Sequence, residues 1–329
     1  MIIGAMNTTT HTTSGTLALT HWGVIRAQGD EAAKFLHSQL TQDTLQLGLD
    51  QARLAGFCSA KGRLLATLLV WKASEQEVLL ALPAELLPET LKRLSMFVMR
   101  AKCKLSDASA NLQLWGLAGP LAEQWLGDAA PAQLWNRMER GAASVIRLPD
   151  AVSNTASDSS GTARYLLAQP VGAASPDLPP LALTDWQWLE VQSGLAWVQQ
   201  ATREQFVPQM LNLELLGGVN FQKGCYPGQE VVARSQYRGS LKRRTFLFEL
   251  DGLQEPVLLG QEIFHSEDPG QPAGLVASCA QHGSQAVILA ETKIAALETG
   301  SLHLGSVAGP VLQQRALPYQ FPSASAADD

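Results

Sequence analysis

The sequence predicts an α+β chain that ends in a small all-β barrel, and three observations carry the prediction. One stretch, Ala84 to Val98, places Leu86, Leu87, Leu91, Leu94 and Val98 at helical spacing. Just before it, Leu64 to Trp71 and Glu77 to Leu82 are short, apolar and separated by a polar turn, the pattern of a β-hairpin. After about Ser240 the pattern changes to short strand-like runs, Thr245 to Leu250, Ala273 to Cys279, Gln285 to Ala290 and Leu302 to Val307, with Gly and Pro between them.

The remaining elements follow in order. Residues 1–15 are rich in Thr with little to pack, and residues 322–329 are small and acidic, so both ends are expected to fray. Gly29-Asp30 ahead of Glu31 to Leu36 predicts a helix start, with the Asp30 carboxylate accepting the free N–H groups of the first turn. Leu112 to Leu117 reads as a strand, whereas Ala151 to Thr162 and Val171 to Pro180 have the composition of loops. No repeat of fixed period is present.

A chain of 329 residues with 46% hydrophobic content is long enough for two or three domains with a sizeable core. The net charge of −6 and pI near 5.6 exclude a protein that coats nucleic acid by bulk electrostatics. Cys58, Cys103, Cys225 and Cys279 lie far apart, with no metal-ligand spacing among them or the histidines, so no self-contained metal site is expected. The start lacks a signal-peptide pattern and no run approaches the ~20 apolar residues of a membrane span, which reads as a cytoplasmic chain with reduced thiols.

The most unusual segment is Lys223 to Arg244. It holds six basic residues (Lys223, Arg234, Arg238, Lys242, Arg243, Arg244) and one acid, Glu230, so it carries +5 in a chain of −6. Such a stripe predicts either an anion-facing surface, tRNA or an acidic partner, or a solvated strand edge. Within it Gly224 and Gly228 flank Cys225 and Pro227 sets a bend, which places the thiol on a tight exposed turn. In extended backbone Lys223 stands on the same side as Cys225. Its ammonium then favours the thiolate, the form that attacks disulfides or binds soft metals. An inert buried cysteine is the alternative. Glu230 also lies one helical turn from Arg234, the spacing of an ordinary ion pair. Eight Trp against four Tyr hint at flat ring surfaces, although Trp22 and Trp186, near the ends of expected strands, fit a core equally well.

Gln205-Phe206-Val207-Pro208-Gln209, Asn212-Leu213, Leu216-Gly217-Gly218-Val219, the run Lys223-Gly224-Cys225-Tyr226-Pro227-Gly228-Gln229-Glu230, Val232-Ala233-Arg234 and Tyr237-Arg238-Gly239 closely resemble the signature region of the YgfZ family. Weaker similarity runs through Ala60-Lys61-Gly62-Arg63, Leu91-Lys92-Arg93 and Leu317-Pro318-Tyr319. The resemblance implies a fold like the T-protein of the glycine cleavage system, the GcvT type. Residues 16–50 with 112–235 would form a discontinuous folate-binding domain, residues 51–111 an inserted α+β domain, and residues 240–320 a C-terminal β-barrel. It also implies tetrahydrofolate or another reduced folate as cofactor, and iron–sulfur enzymes or their assembly factors as partners, one of which methylthiolates tRNA. The family's motif cysteine matches Cys225, with Lys223 beside it, and the expected folate contacts are Trp22, Trp186, Gln192 and Glu230.

Two departures qualify the resemblance. Where the T-protein reads Glu-Ala-Gly this chain reads Gln192-Ser193-Gly194, and an amide lacks the charge-assisted contact to a pterin. Where the T-protein carries an Asp pair after a Gly-Gly turn, the strand here reads Leu64-Leu65-Ala66-Thr67-Leu68. Three functions therefore compete: a folate-dependent accessory factor using Cys225, an aminomethyltransferase-type enzyme, and a scaffold that docks through its basic stripe.

Overall fold

The computed structural model describes residues 13–152, 161–237 and 241–322. The chain begins with β1 (Gly15–Ala18), β2 (Trp22–Gln28), α1 (Ala32–His37), β3 (Ala52–Cys58), β4 (Leu64–Ser74), β5 (Glu77–Pro83) and α2 (Leu87–Val98). It continues through β6 (Lys104–Asp107), β7 (Leu112–Ala118), α3 (Gly119–Leu126), β8 (Arg137–Arg140), β9 (Ala143–Ala151), β10 (Thr162–Pro170) and α4 (Leu183–Gln192). A long segment of turns leads to α5 (Gln229–Tyr237), followed by β11 (Arg243–Leu250), β12 (Glu262–His265), β13 (Asp268–His282), β14 (Gln285–Lys293), β15 (Leu302–Leu304) and β16 (Gln313–Arg315).

These strands form three sheets, in the orders β3-β4-β5-β2-β6, β1-β7-β10-β9-β8 and β15-β12-β13-β14-β11-β16. The hairpin of β4 and β5, the helix after it and β11, β13 and β14 form where the sequence predicts them, whereas the last expected strand, Leu302 to Val307, stops at Leu304, and β12 and β16 are additional. In β11 the two-residue alternation is visible in the packing. Phe246, Phe248 and Leu250 fill the C-terminal core with Ile263, Val276 and Ile288, while Leu247 turns to the main core. A bridge from His303 to Val311 joins the two edges of this sheet, so it curls into the expected barrel.

Three details differ from the sequence expectation. Trp22–Gln28, expected with the 112–235 unit, pairs instead with β5 and β6 in the first sheet. Trp22 to Ile25 and Ala27 are buried, and an interior strand position covers both of their faces. Asp30 does not cap α1: its Oδ1 accepts from Gln76 Nε2 at 2.8 Å, and the helix has no side-chain cap. Residues 14 and 15, expected to fray, are held, because Ser14 Oγ accepts from the Leu121 N–H at 3.0 Å and Gly15 pairs with Ala118. The rest of the two expected frayed ends lies almost wholly outside the described residues, as does Arg238. Among the described residues no helix is long and apolar enough to cross a membrane.

Helix α4 packs on β9 of the second sheet and on β13 and β14 of the barrel. His282 Nε2 on β13 stands 3.3 Å from Asp185 Oδ1 and its ring meets Trp188 edge-on, which fixes the helix against the barrel.

Candidate functional site

Two groups of residues stand out, and both sit at the same end of the first sheet. The Lys223–Gln229 run is a loop leading into α5. Gly228 has φ +82°, and a Cβ there would lie 2.4 Å from the Ser59 carbonyl oxygen, so glycine lets the loop rest on the turn between β3 and β4. Cys225 is exposed, while Tyr226 next to it packs inward at 7% exposure. Burial pushes the Cys58 thiol up to about 12 and those of Cys103 and Cys279 up to about 11. None of those three suits thiolate chemistry at neutral pH.

Lys223 is nearly buried. Its Nζ donates to the His37 carbonyl and, at 2.9 Å, to the Leu40 carbonyl, just beyond α1, and lies 4.7 Å from the centre of the Tyr226 ring. Burial lowers its pKa to about 8 against the opposing pull of Asp43 and Cys225. The ammonium is near enough to Cys225 to interact with it through space, but its donors are directed at backbone carbonyls. Lys223 is a tether between loop and helix as well as a charge.

The second group lines a cavity of about 320 Å³ between β2, the end of β5, α4 and β13, with His21, Trp22, Glu85, Glu190, Trp197 and Cys279 in its wall. Trp22 and Trp197 meet edge to face, with centroids 4.7 Å apart and planes at 83°. The Glu190 side chain is 13% exposed, and its Oε1 lies 3.5 Å from Nη2 of the buried Arg164. Burial raises the pKa of Glu190 against the charge of Arg164 and the indole N–H groups of Trp186 and Trp197. Both N–H groups are buried beside that carboxylate. Burial holds His21 below its ordinary value, so the ring is neutral at pH 7. Indole walls, a carboxylate and the amides of Gln187 and Gln199 make a recess for a flat heterocycle that presents N–H donors.

The first sheet connects the two groups. Trp22 pairs with Pro83 at the end of β5, and β4, antiparallel to β5, begins at that end. The segment carrying Trp197 is held there: Thr67 Oγ1 accepts from the Val198 N–H at 2.9 Å, and Leu64 exchanges backbone hydrogen bonds with Glu204 and Phe206 at 2.8 Å. Arg63, in the turn beneath the cysteine loop, donates to the Gln205 carbonyl.

Several expected site residues lie elsewhere. Trp186 is wholly buried and absent from the cavity wall; the Arg164 guanidinium lies 4.6 Å over its ring, and Gly116 lies against the ring edge. Trp197 lines the cavity beside Trp22. Gln192 is buried outside the cavity wall, and Glu230 projects from α5 with its side chain 86% exposed, paired with Arg234 at 3.3 Å. The basic stripe is not a row of free cations. Arg243 pairs with Glu291, and Arg244, buried at 8% exposure, stands 2.7 Å from Glu214, so both charges are spent inside the protein. Lys242 is exposed.

Comparison with known proteins agrees with this architecture. The family described as the GCVT N-terminal domain matches residues 3–141. The tRNA-modifying protein YgfZ of Photorhabdus laumondii is 30% identical over 241 residues, covering 69% of this chain and 68% of that protein. An uncharacterized protein of Haemophilus influenzae is 29% identical over 251 residues, 75% of this chain and 77% of the relative. Among solved structures, the glycine cleavage system aminomethyltransferase T of Bartonella henselae superposes with a TM-score of 0.73 at 19% identity, covering 94% of this chain and 87% of that one, and so shares the fold.

Proposed function

The chain belongs to the YgfZ family, and from that premise we propose that it is a cytoplasmic, folate-binding accessory protein in iron–sulfur protein maturation and, through it, tRNA modification, with Cys225 as its working thiol. The observation that carries the reading is the placement of the exposed thiol loop and the tryptophan-lined cavity at one end of the same sheet. One ligand and one client can then be handled together.

A reduced folate fits the donor set of the cavity. Trp22 and Trp197 offer ring faces or edges to its aromatic parts, and Glu190 offers a carboxylate to the N–H groups of a pterin. Glu190 supplies the acid that the Gln192 position lacks. When bound, the folate supplies a reducing heterocycle able to carry a one-carbon unit; the protein binds and orients it and keeps water from its buried edge. Trp186 and Arg164 act beneath this wall by holding Glu190.

Titration with tetrahydrofolate, followed by tryptophan emission, tests the reading. Trp22→Ala and Trp197→Ala should each weaken binding by ~1–3 kcal/mol, on the scale of base–aromatic stacking. An unchanged Kd in both variants would place the ligand elsewhere.

A further inference from the structure

Beside the cysteine loop, the end of α1 carries a histidine whose two ring nitrogens have different surroundings. His37 Nδ1 lies 3.0 Å from Asp43 Oδ1. Burial opposes ionisation of Asp43, but hydrogen bonds from the Gln46 N–H, from His37 and from the Leu45 N–H outweigh it and hold the carboxyl below its ordinary value. An ionised carboxylate only accepts, so Nδ1 is the donor, and in the neutral ring Nε2 carries the free lone pair. The His37 side chain is 15% exposed and its Nε2 points at the cysteine loop, where a Cβ on Gly224 would lie 3.4 Å from it. Gly224 is the residue before Cys225, and Lys223, the residue before that, is hydrogen-bonded to the carbonyl of His37 itself. Lys223 thus ties the loop to the His37 backbone, and the ring lies against the loop at Gly224.

We infer that His37, oriented by Asp43, is the proton acceptor for the Cys225 thiol. The S–H bond of Cys225 breaks as an N–H bond forms at His37 Nε2, leaving a thiolate beside an imidazolium; Asp43 stabilises the imidazolium and Lys223 adds a positive charge to the loop. The charged groups at His37 are Asp43 from the following segment and Lys223 from the loop, whose Nζ donates to the His37 carbonyl, and Cys225 follows Gly224 in that loop. On its own helix Lys34 is exposed and paired with Glu31 at 3.5 Å. The inference rests on Cys225 being the working thiol, and the test judges the His37–Asp43 pair without using cellular function.

Full-length reduced protein is treated with iodoacetamide across the pH range that spans imidazole and thiol titration, and labelling of the Cys225 peptide is followed by mass spectrometry. In the step observed the thiolate forms an S–C bond and iodide leaves. The wild-type rate should rise at a lower pH than that of an unassisted thiol. His37→Gln should rise only in the ordinary thiol range, near ~8.5, and be about tenfold slower or more at neutral pH. Asp43→Asn should fall between the two. Protection of the buried Cys58 in the same digests reports that each variant is folded; should His37→Gln lose it, Asp43→Asn is judged against the same wild-type curve. A wild-type profile in the ordinary thiol range, or a folded variant that follows the wild-type curve, overturns the inference. Loss of cellular function in Cys225→Ala with such a profile would sink the pair and leave the thiol reading standing.

Discussion

Arg244→Met should destabilise the protein markedly, because Arg244 neutralises an acid inside the structure. The Arg244 and Glu214 side chains are only 10% and 6% exposed, with Nη1 and Oε1 2.7 Å apart. Arg244 Nη1 also donates to Asn212 Oδ1 at 3.0 Å, and Asn212 Nδ2 donates to the Thr245 carbonyl at 2.8 Å, so the group pins β11 of the barrel to the turn segment that precedes the cysteine loop. Removing one partner of a buried pair leaves an uncompensated charge and typically costs ~3–5 kcal/mol. With a urea m-value of about 3 kcal/mol/M, the midpoint of the transition that unfolds the barrel should fall by roughly 1–1.7 M. The pH dependence has a definite sign. Burial raises the pKa of Glu214 while Arg244 pulls it down, so the variant raises it further. A carboxylate with a raised folded-state pKa contributes stability that is present below its unfolded value and lost as pH rises through the folded value. The variant's deficit should therefore shrink in acid and grow towards neutral pH. Urea titrations at several pH values, with Arg244→Met/Glu214→Leu as the second arm of the cycle, measure this. A single variant as stable as wild type, a pH-independent deficit, or a double variant no better than the single would refute the reasoning.

Trp186→Leu should lower stability by about 2–4 kcal/mol, on the scale of large-to-small core substitutions, with tetrahydrofolate affinity falling less than in Trp197→Ala. Urea unfolding and a fluorescence titration separate the two effects. Gly228→Ala should disrupt the cysteine loop, since φ there is +82° and the added methyl meets the Ser59 carbonyl at 2.4 Å. Limited proteolysis should then cut in the Lys223–Glu230 segment, which resists in the wild type. Incubation with tetrahydrofolate and the aminomethyl-lipoyl donor protein should release no ammonia above background. The strand positions expected to hold an acid pair are Ala66 and Thr67, both fully buried, with Thr67 engaged by Val198. General acid–base help of this kind typically contributes ~10²–10⁴-fold, and turnover at ordinary enzymatic rates would favour the transferase reading.

Local signals in the sequence suffice for part of the fold. The β4–β5 hairpin and the helix after it have periodicities that their own residues define, and the Gly-flanked turn around Cys225 follows from Gly and Pro alone. Long-range partners were not legible. Charge counting cannot reveal that Arg243 and Arg244 are neutralised by Glu291 and Glu214, because those acids lie far along the chain. Trp186 and Glu190 are one helical turn apart on α4, a spacing that places them on one face, yet nothing local says that the indole is covered by Arg164 while the carboxylate reaches the cavity. Trp197 lies in an irregular segment whose place is set by the hydrogen bond to Thr67 on β4, so no periodicity could mark it. His37 and Asp43 are close in sequence, but the approach of His37 to Gly224 exists only after folding.

Whether Cys225 is the working residue is tested most directly by restoring a deletion strain with Cys225→Ala and assaying an iron–sulfur enzyme that methylthiolates tRNA. Cys225 is exposed on its loop, so the variant should fold, bind tetrahydrofolate with unchanged affinity and fail to restore methylthiolation, whereas Cys58→Ser, Cys103→Ser and Cys279→Ser should restore it. Methylthiolated tRNA at wild-type levels in the Cys225→Ala strain would contradict the thiol-based function.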